Sequence, residues 1–200
     1  MQAFDRRTIL ATGAAALAVA VAESRPAAAQ AAKPIFPHEP ITIPIVGEAG
    51  VFPVRRIYCI GRNYAAHAIE RGSDPTREPP FFFQKPTDAI QNVAVGTVAD
   101  HPYPSLTKNY HHEVELVAAL KSGGTNIAPE KALDHVYGYT VGLDMTRRDL
   151  QNEMAALKKP CEIVNSFDHA PVLGSIHPVD NSGYSTKVAI SLAVNGKGRQ

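Results

Sequence analysis

The sequence predicts an α+β domain, and three patterns carry that prediction. Tyr110 to Leu116 alternates with the period of a strand, and His135 to Leu143 forms an apolar strand-like run. Short stretches at Tyr64 to Arg71 and from Met145 onward read as helices. The 200 residues carry twenty Lys and Arg against nineteen Asp and Glu, a formal charge of +1. With no basic cluster beyond the first residues, the chain gives no reason to expect nucleic acid or a membrane surface as a partner, which leaves a small molecule.

Taken in order, the elements begin with an address. Arg6-Arg7 precedes Thr8-Ile9-Leu10, an Ala, Leu and Val run reaches Ala22, and Ala27-Ala28-Ala29 offers small residues for cleavage. This is the layout of an export signal over residues 1–31, and the paired arginines suggest the twin-arginine route. The apolar run is about fifteen residues, short of the roughly twenty that span a bilayer. The expected location is therefore the periplasm, with no stable membrane association after cleavage; the cytoplasm is the alternative. About 170 residues then remain, enough for one domain with a core. Residues 32–56 are Pro-rich and read as an extended arm, and residues 57–200 as the domain.

Cys59 lies in an apolar strand, where a buried thiol is the default, and a Cys59–Cys161 disulfide is the minority reading for an oxidising compartment. Asn63 can cap the helix from Tyr64, with Gly72 as its stop, which puts His67 and Glu70 three apart on one face. A histidine beside a glutamate makes an oriented general base, and equally a surface salt link. Phe81-Phe82-Phe83 is expected to be buried, and the Lys85 ammonium at its end either leaves the core or enters a pocket. At the end of the chain Val188 to Val194 reads as a strand and Asn195-Gly196 as a hairpin turn. The sequence stops at Gln200, before a partner strand is expected to be complete.

The acidic motif carries the most chemistry. Strand alternation projects Glu113 and Glu115 from one face while Val114 and Leu116 face the other. Asp144, at the end of the second strand, adds a third oxygen donor. Three carboxylates without Cys or several His suit a hard ion, Mg²⁺ or Mn²⁺, with Ca²⁺ also allowed. Acids on the wet face of an amphipathic strand give the same pattern.

Five phrases in order decide between these readings: Cys59-Ile60-Gly61-Arg62-Asn63-Tyr64-Ala65-Ala66-His67, Pro80-Phe81-Phe82-Phe83-Gln84-Lys85-Pro86, His111-His112-Glu113-Val114-Glu115-Leu116, Gly142-Leu143-Asp144-Met145-Thr146-Arg147-Arg148-Asp149-Leu150-Gln151 and Ser166-Phe167-Asp168-His169-Ala170-Pro171. From Ile57 to Gln200 the chain resembles the fumarylacetoacetate hydrolase family, and within it the members acting on acylpyruvates. The resemblance implies a mixed β-roll with short helices covering the site, a homodimer, and metal ligands Glu113, Glu115 and Asp144. It implies His67 and Glu70 as the dyad that activates water, and Lys85, Arg148 and Gln151 as contacts to a keto-acid substrate. The implied reaction is hydrolysis of a carbon–carbon bond in a 3-acylpyruvate such as fumarylpyruvate, giving fumarate and pyruvate. Decarboxylation or tautomerisation of oxaloacetate is the alternative on the same metal chemistry.

Two departures from the family pattern support a third reading, a catalytically impaired domain that binds metal or keto acid. Asn165 stands where relatives usually carry a lysine, so this substrate contact offers a hydrogen bond but no charge. The family's C-terminal segment, with its substrate-contacting threonine, is not found before Gln200, so the domain is read as incomplete. Both lead to an expectation of weak or absent hydrolysis. Relatives vary at Arg147. His111 and His112 are read as shaping the strand or supporting the site, His135 and His177 as structural, and His101 as having no evident role.

Overall fold

In a computed structural model, residues 34–199 are described, apart from 71, 73, 75, 77, 78, 184–187 and the side chains of 67, 68 and 70. The expected export segment at 1–31 lies outside the described residues. The first described pairing is a hairpin of β1 (Thr42–Pro44) and β2 (Val51–Pro53). Ile43, 4% exposed, packs with Ala119, Leu173 and Ile176 in the core. The Val46 N–H donates to the Ile176 carbonyl and the Ile176 N–H to the Pro44 carbonyl, both at 2.9 Å. The segment read as an arm thus supplies one of the core's side chains and a stitch to a distant strand.

A second antiparallel pair, β3 (Ile57–Gly61) and β4 (Phe81–Lys85), brackets helix α1 (Ala65–Glu70). As expected, Gly72 ends this helix: its φ is +76°, a region open to glycine at little cost, and its N–H reaches the Ile69 carbonyl at 2.9 Å. The aromatic run corrects an expectation, because Phe81 and Phe82 are 51% and 66% exposed. A strand turns alternate residues to opposite faces, so it cannot bury three in succession when only one face is covered. Here the covered face takes Phe83 and Lys85 together with Cys59, the cross-strand partner of Phe83. Cys59 and Cys161 are both free thiols.

The main sheet is mixed. It contains β5 (Gln91–Val93), β6 (Tyr110–Leu120), β7 (Val136–Arg147), β8 (Pro171–Gly174) and β9 (His177–Pro178). The order is β5-β8-β7-β6, with β9 also on β7; β5 runs parallel to β8 and the other pairs are antiparallel. Few helices accompany it: α2 (Arg148–Ala156), α3 (Glu162–Asn165) and α4 (Val179–Ser182). None of the described helices is long and apolar enough to cross a membrane.

The helix expected from Met145 starts three residues later. Met145, Thr146 and Arg147 remain strand, opposite His112, His111 and Tyr110, and all three are buried. Cross-strand pairing along the eleven-residue β6 overrides the local helical pattern. At the C-terminus, β10 (Ala193–Val194) pairs with β11 (Lys197–Gly198) across Asn195-Gly196, whose φ angles of 52° and 74° fit a type I′ turn. The expectation of an opened hairpin is corrected: the turn closes on two residues each side, and the Arg199 N–H extends it to the Leu192 carbonyl at 2.7 Å.

Candidate metal centre

The β6–β7 register sets Glu113 directly opposite Asp144, and Glu115 opposite Gly142. Opposed side chains on an antiparallel pair share a face. His111, Glu113 and Glu115 therefore stand with Thr146 and Asp144, while Tyr110, Val114, Met145 and Arg147 turn to the other side. One carboxylate oxygen from each of Glu113, Glu115 and Asp144 lies within 4.8 Å of the other two. Gly142 keeps the place opposite Glu115 uncrowded; a Cβ there would meet Val117 at 2.8 Å.

Each acid has a different electrostatic setting. Asp144 is 8% exposed, and its Oδ1 lies 2.7 Å from Lys85 Nζ. That contact is an ion pair rather than an aligned hydrogen bond, so the oxygen keeps lone pairs for a further cation. Glu113 pairs with Arg148 Nη2, whose Nη1 donates to Gln151 Oε1 and whose Nε donates to His111 Nδ1 at 3.3 Å. Glu115 has no cation within ion-pair distance among the described residues. Burial, then the charge of Asp144, pushes its carboxyl up to about 7, and Lys85 offsets only part of this. The same causes push the Cys59 thiol up to about 12, so it stays protonated and is a poor nucleophile or ligand.

The residues fit a hard divalent ion. All three donors are oxygen, one of them is buried without a hydrogen bond, and Glu115 holds a proton that a cation displaces readily. The Glu115 carboxyl is raised, so its protonated form prevails below about 7, and protons then compete with the ion. Mn²⁺ affinity should fall about tenfold per pH unit below 7 and level off above it. Titration of Mn²⁺ between pH 5.5 and 8.5 checks this, and a flat profile would remove Glu115 from the ligand set.

Most sequence-selected residues converge here, some by unexpected routes. Lys85, expected to contact substrate, is 4% exposed and directs its ammonium at the protein: Asp144, the Met145 carbonyl at 3.1 Å and the Asn165 carbonyl at 2.8 Å. Asn165 thus contributes its backbone to the centre, while its buried Oδ1 has no partner. It also lines a cavity of about 230 Å³ with Phe81, Phe83, Lys159 and Glu162. Helix α1, which carries His67 and Glu70, is anchored near the acids, because the Leu116 N–H beside Glu115 donates to Tyr64 Oη at 3.3 Å. The side chains of His67 and Glu70 lie outside the described residues.

Two features escaped the sequence reading. His101 bridges Gln91 Oε1 and Tyr110 Oη at 2.7 and 2.6 Å, and Arg147 is buried over the Phe167 ring. His101 has no periodic or motif signal, and Arg147, although it stands within the fourth family phrase, meets its stacking partner only twenty residues on.

Comparison with known proteins agrees with this geometry. Residues 56–200 match the fumarylacetoacetate hydrolase C-terminal domain, and the chain belongs to the fumarylacetoacetate hydrolase family. A fumarylpyruvate hydrolase from Pseudomonas aeruginosa, solved with Mn²⁺ and pyruvate, is 52% identical, with a TM-score of 0.82 over 84% of this chain and 72% of that one. Among curated relatives, an oxaloacetate tautomerase of Escherichia coli is 34% identical over 74% of this chain and 66% of its own length. A mitochondrial oxaloacetate decarboxylase of Dictyostelium discoideum is 37% identical over 73% and 65%. The chain thus spans about two thirds of the length of these curated relatives.

Proposed function

We propose that the protein catalyses metal-dependent hydrolysis of a carbon–carbon bond in a 3-acylpyruvate such as fumarylpyruvate. The observation that carries this reading is the convergence of Glu113, Glu115 and Asp144 within 4.8 Å on one face of β6–β7, in a chain 52% identical to a fumarylpyruvate hydrolase solved with Mn²⁺ and pyruvate. Bound there, Mg²⁺ or Mn²⁺ would supply Lewis-acid polarisation of the 2-oxo acid end. The chain's own groups do the rest. Arg148 and Gln151, already at the acids, orient the carboxylate end of the substrate. His67, with Glu70 one turn on, takes a proton from the water that adds to the distal carbonyl. The bond between that carbon and C3 then breaks, its electron pair passes into the pyruvate portion, and a proton at C3 completes the products.

A second reading, oxaloacetate tautomerisation or decarboxylation, is favoured by the curated relatives at 34% and 37% identity. It requires no water attack. A panel of acylpyruvates and oxaloacetate, assayed with Mg²⁺ or Mn²⁺, separates the two. Calorimetry runs alongside: wild type should bind one divalent ion, and Glu115→Ala should lose the site. Metal binding without turnover of any substrate would leave a binding domain, as the uncharged Asn165 side chain would favour. Equal metal affinity in wild type and Glu115→Ala would refute the ligand assignment.

A further inference from the structure

Arg148 opens α2 at 7% exposure, and its backbone N–H donates to the Asn109 carbonyl at 2.9 Å, so the helix is pinned to the start of β6 without help from the side chain. The side chain turns back over the strand. Nη2 pairs with Glu113, Nη1 donates to Gln151 Oε1, and Nε donates to His111 Nδ1 at 3.3 Å. His111 lies two residues before Glu113, on the face that carries the acids, and directly across the ladder from the buried Thr146. An arginine Nε only donates, so Nδ1 is the accepting nitrogen of His111 and the ring hydrogen sits on Nε2.

Two of these three acceptors have competing duties. Glu113 is a donor to the metal ion, and a divalent cation draws its carboxylate charge away from the guanidinium. Gln151 belongs with Arg148 to the pair that orients the substrate, so its amide is drawn towards the substrate when one is bound. His111 is neither a metal donor nor a substrate contact in this reading. It keeps its hold on Nε whether or not the centre is occupied, and that hold fixes the plane that a two-pronged contact to a carboxylate requires.

We propose that His111 is a positioning residue: its Nδ1 holds the Arg148 guanidinium in the plane that receives the carboxylate of a 2-oxo acid once the metal ion engages Glu113. The proposal rests on the functional reading above. It differs from a packing role, because His111 is exposed, and loss of its accepting nitrogen must weaken the carboxylate ligand while leaving the ion alone.

The test uses the full chain with three variants. His111→Leu removes the acceptor, His111→Asn places an amide where Nδ1 stood, and His111→Gln places one where Nε2 stood. Free Mn²⁺ is followed by its electron paramagnetic resonance signal, and pyruvate binding to the Mn²⁺-loaded protein by water-proton relaxation. His111→Leu should weaken pyruvate by about tenfold, the scale of one hydrogen bond to a charged group, with Mn²⁺ affinity unchanged. His111→Asn should recover most of that loss, and His111→Gln should not. Recovery by His111→Gln instead would make His111 a direct substrate contact. Loss of Mn²⁺ and pyruvate together in all three variants would make it part of the frame of the acid centre. Unchanged pyruvate affinity in His111→Leu would leave it without a role. Each of these results would overturn the proposal and leave the functional reading standing. If the wild-type chain binds Mn²⁺ but not pyruvate, the functional reading falls and this inference falls with it.

Discussion

Lys85→Met should destabilise the protein by about 3–5 kcal/mol, the cost of removing one partner from a buried ion pair. The substitution keeps the length of the side chain, so packing changes little. It leaves Asp144 at 8% exposure with its nearest cation gone, and it strips a donor from the Met145 and Asn165 carbonyls. Each buried acceptor left without a partner costs about a further 1–3 kcal/mol unless water reaches it. Denaturant midpoints measure the loss. Asp144→Asn added to Lys85→Met should recover part of it, because the uncompensated charge is then removed. Millimolar Mn²⁺ should also recover part, by binding the folded form alone. A single variant within about 0.5 kcal/mol of wild type would show that the pair is not what holds β4 against β7.

His67→Ala should lower acylpyruvate hydrolysis by about 10² to 10⁴-fold, the usual contribution of a positioned general base, and should leave Mn²⁺ affinity unchanged. The reason lies in how the elements divide the work: the acids sit on β6 and β7, whereas His67 rides on α1, tied to β6 through the Tyr64 hydroxyl. Glu70→Gln should give a smaller loss, since it orients the base rather than replacing it. Any activity towards oxaloacetate should survive His67→Ala better than hydrolysis does, because no water is added. Near-full hydrolytic turnover by His67→Ala would reduce the pair to a salt link on the surface of α1.

What was legible in the sequence had local periods or fixed spacing. Alternation around Glu113 gave both the strand and the shared face of the acids, and Gly72 and Asn195-Gly196 marked a helix stop and a turn through backbone conformations that few residues adopt readily. The misread portions turned on partners far along the chain. Met145 to Arg147 continue as strand because β6 is there to pair with them. Lys85 faces inward because Asp144, fifty-nine residues later, and the end of α3 are there to receive it. Arg147 is buried because the Ile163 carbonyl and the Phe167 ring, sixteen and twenty residues on, are there to receive it, which no local spacing records.

The stitch between β1 and Ile176 has a consequence for how the domain forms. Ile45 bridges Ile176 about 130 residues away, and Ile43 shares its core cluster with Leu173 and Ile176. β5 likewise waits for β8, roughly eighty residues on, before it gains its parallel neighbour. Closing such long loops costs entropy before any contact compensates for it, so the transition state must form slowly and late. On the ribosome, β6 and β7 can pair as a hairpin soon after they emerge, but the β1–β2 hairpin lacks its contacts to Ile176 until synthesis has passed that residue. A nascent chain arrested before that point should remain protease-sensitive at β1 and β2, whereas the hairpin that carries the three carboxylates should already be protected.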